Sequence, residues 1–118
     1  MFKKSNGFQI GARVKKLYLS GGMTGIKDLN KPAFFKAARL LRRHGFRVVN
    51  PTELDWKEPK RSWVGCLERD IAHLVTCEAI ATLPGWKKSK GANLEIYIGK
   101  ALSYPVHSVA YWLKRRIR

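Results

Sequence analysis

Apolar positions along the chain alternate between two periods. Compact apolar runs at 17–20, 46–50, 79–83 and 106–112, bounded by charged residues, Gly or Pro, have the length of buried strands. Between them helical spacing takes over. Ala33, Phe34, Ala37, Leu40 and Leu41 share one face over 30–44, with Pro32 in the first turn and Gly45 just past the end. Ser62 opens a second helix to about Val75, with Trp63, Leu67, Ile71 and Leu74 on its buried side. Ser89, an N-cap residue by type, opens a third, to Leu102. Strand, helix, strand, helix, strand, helix, strand predicts an α/β fold. Its sheet is mainly parallel, four- to five-stranded, with helices on both faces and right-handed crossovers.

Two stretches break the rhythm. The segment 52–61 is polar, contains Pro59 and reads as a loop or lid, with Glu53, Asp55 and Glu58 as solvated loop charges. Residues 8–14 alternate loosely, as an edge strand or an arm. The expected organisation is a basic arm or edge strand over 1–15, one domain over 16–112 and a basic tail over 113–118.

Charge adds a partner class. The 118 residues hold 24 Lys and Arg against 8 Asp and Glu, a formal charge of +16, so the surface is positive and partners should be anionic. Lys3, Lys4, Arg13, Lys15 and Lys16 precede the first acid, and Lys114, Arg115, Arg116 and Arg118 close the chain. Such tails add nonspecific nucleic-acid affinity. Cys66 and Cys77 make neither a CxxC pair nor a disulfide framework, and no paired histidines stand at metal spacing, so no metal and no cofactor are expected. His44, His73 and His107 receive no catalytic role. Neither a signal-peptide core nor a membrane-length apolar run is present, so the expectation is a cytoplasmic protein without a membrane partner.

Candidate chemistry gathers on two acids. Glu95 sits at helical spacing with Gly91, Ala92, Gly99 and Leu102, on a face that should pack inward, where an unpaired carboxylate is costly. Asp70 lies between Leu67 and Leu74 on the preceding helix and is equally out of place. Gly21, Gly22, Met23, Thr24 and Gly25 follow the first strand. Glycine backbone there approaches a phosphate closely, and the N-terminus at Ser89 and Gly91 suits an anion too. Lys87, Lys88 and Lys90 flank that end, and Trp86 is the tryptophan expected to touch a base. In a parallel sheet all these loops meet beyond the strands' carboxyl ends.

YLSGGMTG at 18–25, the pair Arg69 and Asp70, and SKGANLE at 89–95 together resemble the nucleoside 2-deoxyribosyltransferase and 2′-deoxynucleoside 5′-monophosphate N-glycosidase superfamily. The nearest look-alikes are its small, uncharacterised phage and prophage members. The resemblance covers roughly 16–109 and implies a three-layer Rossmann or flavodoxin-like sandwich, usually a homodimer or higher oligomer. It also implies a host cytoplasmic location if the chain is phage-encoded. By the same resemblance Glu95 is the nucleophile at C1′, Asp70 the carboxylate beside the sugar and Tyr18 the tyrosine near the nucleophile. Ser89 and the backbone of 21–25 match the holders of a 5′-phosphate. Thr24 stands where the monophosphate branch has an arginine, and Glu78 where an aspartate is usual. Two other expectations compete: a noncatalytic nucleotide sensor on this scaffold, and a basic nucleic-acid-binding protein using both tails.

Overall fold

A computed structural model describes residues 14–115. Its strands are β1 (Lys16–Ser20), β2 (Arg47–Val49), β3 (Ala79–Thr82) and β4 (Val106–Ser108). All pair in parallel, in the order β2-β1-β3-β4. The helices are α1 (Lys31–Arg43), α2 (Pro51–Lys57), α3 (Trp63–Leu74), α4 (Lys90–Ala101) and α5 (Val109–Leu113). This is the α/β sandwich the alternation predicts, with four strands among the described residues.

Strand alternation sorts the side chains into two cores. Leu17, Leu19, Ala79 and Ala81 pack with Phe34 and Leu41 of α1 and Trp112 of α5. Their neighbours Tyr18 and Ile80 point the other way, against Leu74 of α3 and Ile96 of α4. Tyr18 and, by the same period, Ser20 therefore share the face that α4 covers. Each large aliphatic side chain removed from water here contributes about 1.5–3 kcal/mol.

Gly99 sets how closely α4 lies on the sheet. A Cβ at this position would overlap Ile80 Cδ1, and Ile80 is fully buried with nowhere to retreat. Gly99→Ala should therefore lower stability by about 1–3 kcal/mol, read from the urea midpoint, outweighing alanine's helix propensity of about 1 kcal/mol. A stabilised variant would mean α4 has slack.

Several sequence expectations change. The expected loop at 52–61 begins with α2: Asn50 Oδ1 accepts from the Thr52 backbone N–H at 3.0 Å, and Pro51 starts the helix. Burial of Thr52 and Leu54 supplies the apolar side that polarity had masked. The second strand covers only Arg47–Val49 of the expected 46–50. The last expected strand, 106–112, ends at Ser108, whose Oγ accepts from the Tyr111 N–H at 3.1 Å and turns the chain into α5. Trp63, expected in the core, is 43% exposed. The expected arm lies outside the described residues except for Val14 and Lys15, as do residues 116–118 of the tail. No helix among the described residues is long and apolar enough to cross a membrane.

Candidate active site

A crevice of about 920 Å³ opens beyond the carboxyl ends of the strands, where a parallel sheet places its ligands. Gly21 to Gly25, the start of α4, one side of α3 and Asp55 of α2 wall it, and Asp70 and Glu95 both line it.

Glu95 is 5% exposed and held at both oxygens. Tyr18 Oη donates to Oε2 and Ser20 Oγ donates to Oε1, each at 2.8 Å. The cause is local: residues 18 and 20 face one side of β1, and Ala92, Glu95, Ile96 and Gly99 form the buried stripe of α4. Burial pushes the Glu95 carboxyl up to about 7, the hydrogen bonds from Ser20 and Tyr18 pull against it, and the nearby Asp70 charge adds to the rise. Burial and the Glu95 charge also hold the Tyr18 phenol well above its usual value, so it stays a donor.

Asp70 is organised by Arg69, whose side chain is 2% exposed. Arg69 Nε donates to Asp70 Oδ1 at 2.9 Å, and Nη2 donates to Asp55 Oδ1 at 3.0 Å. Nη1 donates to the Leu54 and Glu58 carbonyls, both at 3.2 Å, tying the end of α2 to α3. Burial raises the Asp70 carboxyl to about 6, against the pull of Arg69.

The glycine loop is locked against α4. A Cβ on Gly22 would lie 3.2 Å from Ile26 Cδ1 and 3.6 Å from Ser89 Cβ, and Asn30 Nδ2 donates to the Gly22 carbonyl at 2.9 Å. Ser89 Oγ accepts from the Ala92 N–H at 3.1 Å as the N-cap of α4, which leaves its own O–H to donate. Ser89, Gly91, Lys88 and Lys90 line the crevice with the glycine loop. Trp86 does not. It packs beside the Tyr18 and Ile80 cluster and lines a separate hollow of about 690 Å³. Trp63 takes the crevice wall instead, with Lys90 Nζ 4.8 Å from its ring centre.

The structure thus brings Tyr18, Asp70, Glu95, Ser89, Gly91 and the 21–25 loop together and leaves Trp86 aside. Sequence reasoning passed over Ser20 and the clamping role of Arg69, and read Asp55 as a solvated loop charge. Ser20 had a signal, since it lies two residues from Tyr18 on one strand. Asp55 had none, because its helix was read as a loop. Among the described residues no group of three or more His, Cys, Asp or Glu side chains is placed to hold a metal ion.

A sequence profile for a domain of unknown function, DUF4406, matches residues 15–108. The chain belongs to that family. Among solved structures its fold is similar to a 2-deoxyribosyltransferase from the psychrotolerant bacterium Bacillus psychrosaccharolyticus. The TM-score is 0.60 at 20% identity, over 77% of this chain and 69% of that one. No curated protein matches the sequence. The family match spans β1 to β4, so every crevice residue named above falls within it.

Glu95 also leaves a mark on stability. Its folded carboxyl titrates about 7 against an ordinary 4.5, so the folded chain holds a proton that the unfolded chain has lost. Stability from this group is full below the ordinary value and falls as pH rises toward 7. Glu95→Gln removes that slope. Its advantage over wild type should grow by on the order of 2 kcal/mol between pH 5 and pH 8 in urea unfolding. A constant difference would show that Glu95 is not desolvated.

Proposed function

We propose that the crevice cleaves or transfers the N-glycosidic bond of a 2′-deoxyribonucleoside 5′-monophosphate, with Glu95 as nucleophile. The supporting observation is a carboxylate buried at the crevice wall and held at both oxygens by Tyr18 and Ser20. A buried acid serving only stability would sit against a cation, and Glu95 has hydroxyls instead.

A Glu95 oxygen attacks C1′ as the C1′–N bond breaks, and the base leaves with the bond's electron pair and gains a proton. The glycosyl ester is opened by water, giving hydrolysis, or by a second base, giving transfer; either frees Glu95. The hydrogen bonds from Tyr18 and Ser20 fix the carboxylate's orientation, and its poor solvation keeps it reactive. Asp70, set by Arg69, stands beside the sugar. Backbone N–H groups of the 21–25 loop and of the α4 N-terminus, with the Ser89 hydroxyl, Lys88 and Lys90, receive the phosphate.

Incubation with each deoxynucleoside monophosphate, followed by chromatography for free base, tests the reading. Base release from at least one is expected. Release from none overturns it, and tight nucleotide binding without turnover would replace it with a sensor.

A further inference from the structure

Two exposed tryptophans, Trp63 on the crevice wall and Trp56 on α2, have no part in that reaction. Trp63 on the wall is 43% exposed, and Trp56, next to the crevice-lining Asp55, is 65% exposed. Each carries a lysine ammonium near its ring: Lys90 at 4.8 Å from the Trp63 centre and Lys57 at 5.7 Å from that of Trp56. Lys60 and Arg61 lie exposed between these two tryptophans in the chain, and Lys88 lines the crevice with Lys90.

Few acids answer these cations. Glu53 is paired with Arg42, Asp55 and Asp70 with Arg69, and Glu58 with His73. Glu78 accepts from the Lys15 and Lys16 backbone, and Glu95 is buried. Asp28 and Glu68 are exposed, and Glu58 and Glu68 share a hollow with Lys60, yet 24 Lys and Arg against 8 acids leave most of the cations without one. A mononucleotide brings one base and a charge of about −1.5 to −2. It would occupy one ring and a cation or two, leaving the other ring and the remaining cations unused.

We propose that single-stranded nucleic acid runs across the crevice mouth, stacking bases on Trp63 and Trp56, and that the nucleotide entering the crevice belongs to such a strand. The proposal rests on reading the crevice as a deoxyribosyl site and extends its substrate from a free nucleotide to one within a strand. Exposed flat rings beside cations bind unpaired bases, whose faces a duplex hides in its own stack. Glu95, 5% exposed, reaches C1′ only in a nucleotide turned out of the stack. The step balances: the C1′–N bond breaks, water supplies the hydroxyl at C1′ and a proton to the base, and the phosphodiesters stay intact.

The test is binding of the full chain to a fluorescein-labelled oligothymidylate of about a dozen nucleotides and to a duplex of equal length, across a salt series. The single strand should bind more tightly. Trp63→Ala and Trp56→Ala should each weaken it by about tenfold with an unchanged salt slope, since no charge is lost. Trp63→Phe and Trp56→Phe should keep most of the affinity, and serve in place of any alanine variant that fails to fold. Equal affinity for duplex, or wild-type affinity in both alanine variants, overturns the proposal. Base release from monophosphates without tryptophan-dependent strand binding defeats this inference and leaves the proposed reaction standing. Tryptophan-dependent binding without base release from monophosphate or strand supports the surface and defeats the reaction.

Discussion

Glu95→Gln should reduce base release from deoxynucleoside monophosphates by roughly 10⁴-fold or more, the scale seen when a covalent nucleophile is removed. The amide matches the carboxylate in shape, and of the Tyr18 and Ser20 hydroxyls one can go on donating to its oxygen while the other turns to accept from its NH2. The loss therefore reads as chemistry and not as misfolding. Gln carries no charge to desolvate, so the inactive variant should also be the more stable one at neutral and alkaline pH, the reverse of what a structural glutamate would give. Wild-type kcat/KM should fall about tenfold per pH unit below a pH near 7, where Glu95 takes up its proton. Rate measurements on wild type and variant from pH 5 to 9 check both statements. A variant with more than a tenth of the wild-type rate would remove Glu95 from the reaction.

Arg69→Met should cost about 3–5 kcal/mol of stability, the largest loss expected of any single change at the site. Methionine fills much of the volume but leaves Asp70 and Asp55 without their cation and removes the Arg69 donor from the Leu54 and Glu58 carbonyls, the first of which keeps the Glu58 backbone N–H. Asp70, already raised to about 6 by burial, would rise further without Arg69, which now pulls it down. Adding Asp70→Asn should recover part of the loss, because the buried charge then goes with its partner. Arg69→Lys should recover little, since one ammonium cannot serve two carboxylates and two carbonyls from a fixed fork. Urea midpoints of the four proteins measure all of this. A loss under about 1 kcal/mol for Arg69→Met would mean that water takes over the clamp.

Period and punctuation along the chain were enough to specify the alternation of strands and helices, the parallel sheet, and the caps at Ser62 and Ser89. These are local matters: a helix face shows in spacing of three and four, a strand face in spacing of two, and a cap in one hydroxyl. Glu95 and Asp70 were visible for the same reason, as charges on faces that should be apolar. The polar helix α2 escaped because only contacts with the rest of the fold bury Thr52 and Leu54. The two tryptophans exchanged places for a similar reason. Trp63 has apolar neighbours at helical spacing, yet it lies at the first turn of α3, beyond the reach of the sheet, whereas Trp86 folds back beside it.

What the chain order alone determined is which residues share a face; what tertiary structure decided is which faces meet. Gly99 lets α4 settle onto Ile80, and that approach carries Glu95 to the hydroxyls of Tyr18 and Ser20, 77 and 75 residues away along the chain. Contacts of that separation leave no periodic trace. They depend on the packing distance between a helix and a sheet, which side-chain volumes set only once both are in place.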